Sequence, residues 1–301
     1  MGCDEVVVGS ITGELRVAIW ASYTNVTVGT PILCRASISG RTTASAWRWG
    51  DGAEANNQLT AAHAYSSNGV YELGLVAFNE SFPLGMSTSV IVRVSEQDIH
   101  YVDISNSTPE SPFSTWKTAA TNIQDAIDAV SKAGALVLVS NGVYATGVRI
   151  ENGSLPNRVA ITNAIQVRSA NGPEVTIIQG AGPNGDSAVR CAYLGNYAAL
   201  SGFALTGGAT LAAGDPCRER SGGGAWCEAS GIISHCLLTG NSAKECGGGA
   251  YGGTLNNCTV FGNSARIGGG LWRSLLNNCT VVGNTSGPCG GGTCACVLNN
   301  C

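Results

Sequence analysis

The sequence predicts an all-β chain of two modules: a β-sandwich first, then a parallel β-helix whose start is covered by a short amphipathic helix. Three features point there. Short runs of alternating apolar and polar residues fill the N-terminal part. One middle segment has helical spacing, and the C-terminal part repeats every 21 or 22 residues.

In the N-terminal part, Ile32, Cys34, Ala36 and Ile38 alternate as the buried face of one strand. Trp47 and Trp49 share a face of another, and Gly50-Asp51-Gly52 supplies residues that accept positive φ in a tight turn. Several short strands in this span suit a sandwich. Trp47-Arg48-Trp49-Gly50-Asp51-Gly52, His63-Ala64-Tyr65 and Gly69-Val70-Tyr71-Glu72-Leu73-Gly74-Leu75-Val76 resemble a polycystic-kidney-disease-type (PKD) domain over residues 15–94. The resemblance implies an immunoglobulin-like sandwich with a W-x-F-G-D-G signature, Trp49 standing in for the phenylalanine. It also implies a spacer or glycan-side accessory on a secreted or surface protein. No cofactor is expected; calcium at Asp51 is the alternative, and a solvent-side turn residue is the plainer reading. The sandwich is assigned to residues 1–96, and residues 97–118, with the polar stretch SNSTPESPFS, to a linker and entry into the second module.

The second module, 119–301, opens with Ile123, Ala126, Ile127 and Val130 at helical spacing, with Asp125, Asp128 and Lys132 on the other side. A covering helix is what a stacked solenoid needs at its end. The repeat follows. Cys236, Cys258, Cys279 and Cys301 are 22, 21 and 22 residues apart, and glycine triplets start at Gly222, Gly247, Gly268 and Gly290. Gly-Asn at 240, 262 and 283 keeps the same step, and Phe203 takes the cysteine slot in an earlier copy, 33 residues before Cys236. The excess in that step places an inserted loop around AAGDPCRERS. Units this short, without helical spacing, fit coils of two or three strands, each strand pairing with its copy in the next coil. Equivalent residues then form ladders: Asn257, Asn278 and Asn300, beside Cys236, Cys258, Cys279 and Cys301. The stacked amides are expected to serve a polar bend, with His235 in the asparagine slot as a turn hydrogen-bonder.

Phe261-Gly262-Asn263-Ser264-Ala265 with Gly268-Gly269-Gly270-Leu271 resembles the F-x-x-N and G-G-A-I repeats of polymorphic outer-membrane proteins and related right-handed β-helices. Residues 121–130, Ala135-Leu136-Val137-Leu138-Val139 and Asn141-Gly142-Val143-Tyr144 look like the opening of pectin-lyase-like folds. These resemblances imply a right-handed parallel β-helix on an extracellular or bacterial cell-surface protein.

Composition narrows function. Only 12% of residues are charged and the net charge is −4, which argues against nucleic acid as a main partner. No apolar run is long enough for a membrane span, and Met1-Gly2-Cys3 lacks the apolar stretch of a secretory signal. Of 13 cysteines, the ladder set reads as packed thiols, with disulfides between coils the alternative. Cys217, Cys227, Cys246, Cys289, Cys294 and Cys296 read as the better disulfide candidates in an oxidising compartment. Cys289, Cys294 and Cys296 also raise zinc, but their spacing is wrong for a standard site.

No paired carboxylates mark a catalytic centre. Asp215, Glu219 and Arg220, in the inserted loop, are the weak candidates. Lys244 and Arg266 are 22 residues apart and are expected to stack as a cationic pair able to meet a polyanionic glycan. Trp226, Tyr251 and Trp272 each follow a glycine triplet by one residue, giving either an outward platform for sugar rings or, in the shifted register, core. The function expected is a structural or adhesive secreted or cell-surface protein in contact with a polysaccharide or cell-surface glycan. The alternative is a polysaccharide lyase or glycoside hydrolase of pectin-lyase-like fold. With Cys301 in a ladder slot and no capping element after it, the coil stack is expected to continue past the given end or to associate end to end.

Overall fold

The computed structural model describes residues 10–301, so Met1, Gly2 and Cys3 lie outside the described residues. The chain forms two compact units. One holds the residues up to Asp98 with Lys132–Gly134, and the other holds Ile99–Ser131 with Ala135–Cys301.

The first unit is all β. An antiparallel sheet of three strands contains Arg16–Ala21, Ile32–Ser39 and Thr60–His63. A sheet of five contains Asn25–Thr27, Phe82–Ser95, Gly69–Asn79, Ala44–Arg48 and Glu54–Asn56. Ile32, Cys34, Trp47, Trp49, Leu73 and Leu75 are each no more than 3% exposed. Trp47 and Trp49 stack at 5.7 Å, as two large side chains on one strand face must when they alternate with an outward residue. The Trp47 indole N–H donates to the Gln58 carbonyl, and the Tyr65 hydroxyl donates to that of Trp49. Gly50 takes φ +82°, and a β-carbon there would strike the Glu72 backbone at 2.8 Å.

The second unit is a parallel β-helix. Its longest sheet has eight strands in the order Ile99–Val102, Leu136–Val139, Gln166–Ser169, Ala199–Ser201, Ile232–Ser234, Thr254–Asn256, Leu275–Asn277 and Val297–Asn299. Every pairing along it is parallel. Ile99–Val102 is therefore the first rung of this sheet, within the segment assigned to linker and entry: its backbone pairs with Leu136–Val139. A second sheet runs from Gly142–Tyr144 to Thr280–Val282, and a third from Pro156–Ile161 to Thr293–Cys294, with Arg149–Ile150 antiparallel at its edge. A fourth, Ser242–Cys246, Ser264–Ile267 and Thr285–Cys289, exists only in the regular repeats.

Inside, each rung contributes one residue to a column. Val137, Val167, Leu200, Ile233, Leu255 and Leu276 line the first sheet, and Ile178, Leu205, Leu238 and Val260 the second, all fully buried. The helix Ile123–Asp128 buries Ile123, Ala126 and Ile127 in the same core, and its Asn122 cap accepts from the Asp125 N–H at 2.8 Å. It is only six residues long, because Asn122 starts it and the chain turns at Ala129.

The corners explain the repeated polar residues. His235, Asn257, Asn278 and Asn300 all sit near φ +50°, the left-handed conformation that asparagine tolerates best after glycine. Their side chains lie on the exposed surface, where Asn278 Nδ2 donates to Asn257 Oδ1 (2.6 Å) and Asn257 Nδ2 donates to His235 Nε2 (3.3 Å). The ladder inside the stack is a different one, made of the Gly-Asn asparagines. Asn263 Oδ1 accepts from both the N–H and the amide of Asn241, and Asn284 Oδ1 does the same for Asn263, at 2.9–3.0 Å. Each amide also donates to a backbone carbonyl, of Leu205, Leu238 or Val260.

The cysteine slot follows the same logic. Cys236, Cys258 and Cys279 are 2–4% exposed, and all twelve described cysteines are free thiols. Phe203 N–H donates to Cys236 Sγ, Cys258 N–H to Cys279 Sγ and Cys279 N–H to Cys301 Sγ, at 3.3–3.4 Å. The thiols in turn donate to carbonyls two residues back. A thiol is small enough for the corner and serves N–H and C=O groups that the ladders leave over. Burial pushes Cys236 up to about 11, so it stays protonated.

The two asparagine ladders should differ in energy. Asn263→Ala orphans the buried Asn241 N–H and one hydrogen of the Asn241 amide, at about 1–3 kcal/mol each, so urea unfolding should register a loss of about 3 kcal/mol. Asn278→Gly keeps the left-handed corner and should cost less than about 1 kcal/mol. Equal losses for the two variants would refute the assignment.

Candidate functional site

The third sheet carries the most distinctive outward side chains. In its strands Ala192, Ala225, Ala250 and Leu271 face the core, and the next residue on each rung, Tyr193, Trp226, Tyr251 and Trp272, points the other way. Tyr193, Trp226 and Tyr251 stack in parallel, with centroids 5.4 and 5.7 Å apart and planes within 6°. Tyr193 was not foreseen, although it precedes Trp226 by the same 33 residues that separate Phe203 from Cys236. The stack corrects the idea of a sugar platform. The faces of Tyr193, Trp226 and Tyr251, one strand spacing apart, turn toward each other, so a sugar ring cannot lie flat on these three and meets their edges instead.

The first two rings are also covered. Trp226 is 7% exposed, and its indole N–H donates to the Cys217 carbonyl of the inserted loop at 2.9 Å. Tyr193 is pushed up to about 12 by burial and by Glu228, to which its hydroxyl donates. Tyr251 and Trp272 are half-buried, and the Arg273 guanidinium lies 6.0 Å from the Trp272 ring centroid. Burial raises Tyr251, the Cys217 thiol acts the same way, and Arg273 opposes them. The accessible part of the row is therefore Tyr251, Trp272 and Arg273.

The loop is anchored from below by a buried cation. Arg190 is 2% exposed, and its guanidinium donates to the carbonyls of Gly222, Arg218 and Ser221 and to Asn157 Oδ1 at 2.5–2.8 Å. Burial pulls its pKa down to about 9, and the ring of oxygens retains the proton at neutral pH. The proposed catalytic residues are part of the same anchoring. Glu219 accepts from the Ser154 N–H and hydroxyl at 2.6 Å and from the Asp215 N–H at 2.8 Å. Asp215 Oδ1 accepts from the N–H groups of Cys217 and Arg218, closing a turn. Arg220 bonds Glu245. Gly153 and Gly214 sit against the Glu219 side chain at φ +141° and +104°, a backbone conformation that favours glycine.

Lys244 and Arg266 do not form a cationic pair. The fourth sheet bulges between Ala243 and Cys246, and Glu245 rather than Lys244 meets Arg266, at 2.5 Å. Glu245 is thus shared by Arg220 and Arg266, while Lys244 is exposed. In the sandwich, Asp51 gives one carboxylate oxygen to His63 (2.6 Å) and the other to the Ala53 N–H (3.1 Å). Among the described residues no three His, Cys, Asp or Glu side chains gather as metal ligands, and no helix is long and apolar enough to cross a membrane. Of the cysteines expected to pair, Cys227 is core, Cys296 packs partly against it, and Cys289 and Cys294 hold their thiols 2.7 Å apart without a bond.

No protein-family model matches the chain, and no curated protein matches it. Three solved structures share parts of its course. A carbohydrate-binding module of the β-sandwich superfamily is 15% identical over 33% of this chain and 37% of its own, with TM-score 0.26. The PKD domain of the human VPS10 domain-containing receptor SorCS2 is 22% identical over 32% of this chain and 93% of its own, with TM-score 0.23. The pectin methylesterase PemA of Erwinia chrysanthemi is 13% identical over 62% of this chain and 55% of its own, with TM-score 0.39. The chain thus spans little more than a third of the length of the carbohydrate-binding structure and about half of the esterase. The β-helix assignment rests on the strand pairing itself.

Two outcomes follow for the loop. Arg190→Gln should free residues 211–221, open Arg218 and Arg220 to trypsin and cost at least about 3 kcal/mol, since several charged hydrogen bonds go at once; unchanged cleavage would disprove the anchoring. Glu219 is held below its ordinary 4.5 by the Ser154 hydroxyl, the Asp215 N–H and the Ser154 N–H. Its contribution is complete above that ordinary value and is lost as pH falls through the lower folded one. Trypsin-independent probes such as Trp226 emission should then report loosening on acidification, and Glu219→Gln should remove that transition.

Proposed function

We propose that the protein is an extracellular or cell-surface β-helix scaffold that contacts an acidic polysaccharide through the row Tyr251, Trp272 and Arg273. The observation that carries this is the guanidinium set over an accessible indole beside a phenol, on a rigid sheet. Arg273 supplies donors suited to a carboxylate, and the ring edges offer apolar contact to sugar C–H groups. The sheet holds the two rings in register, so the ordering cost on binding falls mainly on the Arg273 side chain. Asp215, Glu219 and Arg220 are engaged in holding the loop, which favours contact over turnover.

Affinity electrophoresis through gels containing pectate or alginate tests the reading. Trp272→Ala should weaken retention about fivefold, from an aromatic contribution on the order of 1 kcal/mol. Arg273→Gln should remove the preference for acidic over neutral polysaccharide. If both variants migrate as the parent does, the row is not the contact. If the parent releases unsaturated or reducing sugar ends from these polymers, the protein is an enzyme and the scaffold reading fails.

A further inference from the structure

We infer that Cys289 and Cys294 form a disulfide site, closed by thiol–disulfide exchange and clamping the last glycine-rich corner. The two Sγ atoms stand 2.7 Å apart, a short step from a covalent length of about 2.05 Å, so bonding needs little backbone movement. Cys289 is exposed and Cys294 half-buried, so an exchanging disulfide can reach them.

Register explains why these two residues meet. Cys246, Ile267 and Cys289 occupy one column of the fourth sheet, and Tyr251, Trp272 and Cys294 one column of the third. In each coil these two positions flank the glycine triplet. The earlier coils set Cys246 across that corner from Tyr251 and Ile267 across from Trp272, and the last places two thiols. The corner is tight: Gly290 adopts φ +49°, and a β-carbon there would meet the Thr293 carbonyl at 2.2 Å. Three glycines in a row also have much conformational freedom to lose, which a covalent clamp across them restricts in the unfolded chain.

Competing pairings are remote or engaged. Cys246 lies two rungs from Cys289 in its column, about 9.6 Å away and beyond the Cα separation a disulfide spans. Cys296 accepts from the Ser274 N–H and donates to the Cys294 carbonyl, and Cys301 accepts from the Cys279 N–H. The chemistry balances with a disulfide R–S–S–R as oxidant, glutathione disulfide for example. Cys289 thiolate attacks one sulfur and releases RSH, and Cys294 then attacks the mixed disulfide and releases the second RSH. The two protein sulfurs are oxidised, the reagent is reduced, and the two thiol protons end on the two RSH.

The inference is independent of the glycan reading. The full chain is equilibrated in glutathione mixtures from fully reduced to mainly oxidised, blocked with iodoacetamide, and mapped by peptide mass. One intrachain link joining Cys289 and Cys294 is expected, with the buried ladder thiols left unlinked. The thermal midpoint should rise on oxidation and return on reduction. Cys289→Ser and Cys294→Ser should each abolish that rise, and the double variant should behave as either single one. Both thiols still alkylated in the oxidised mixture, a link to any other cysteine, or a rise that survives in the serine variants would each overturn the assignment.

Discussion

Parallel, in-register pairing between successive coils is the constraint from which the rest of this β-helix follows. Each strand satisfies its backbone groups with its own copy one turn away, so a residue type that suits a position in one coil faces the same surroundings in the next. Val137, Val167, Leu200, Ile233, Leu255 and Leu276 form one buried column for this reason. So do the alanines that back the aromatic row.

The corners are where that pairing is interrupted, and the chain meets them with side chains. Gly-Asn corners turn their amides inward, where a buried N–H would otherwise lack a partner. Asn-Cys corners divide the work. The asparagine accepts the left-handed backbone and faces solvent, while the thiol behind it accepts an N–H from the preceding coil. The repetition thus carries shape, and it does so through hydrogen bonds.

The inserted loop is the main departure from periodicity, and it changes what the aromatic row can do. Arg190 is buried among carbonyls instead of facing a carboxylate, so its charge is solvated by the loop backbone it holds. The price is a loop that cannot leave without stranding a cation, and the result is that Trp226 is covered while Trp272 stays accessible.

Much of this was legible in sequence because a period-2 pattern inside a 21- or 22-residue repeat admits few folds. The stacked columns, the glycine corners, the Trp47–Trp49 face and the buried positions of the short helix all follow from spacing alone. What spacing could not convey depends on side chains meeting from different coils. Which asparagine ladder lies inside depends on the backbone angle at each corner. Whether Glu245 or Lys244 faces Arg266 depends on one bulge, which shifts every side chain after it. Ring orientation, too, is decided between rungs, where Tyr193, Trp226 and Tyr251 face one another. Local sequence determined which residues repeat and face inward, because backbone pairing copies itself; only the tertiary structure decided which charges and thiols meet, because those contacts span coils and loops that no local pattern links.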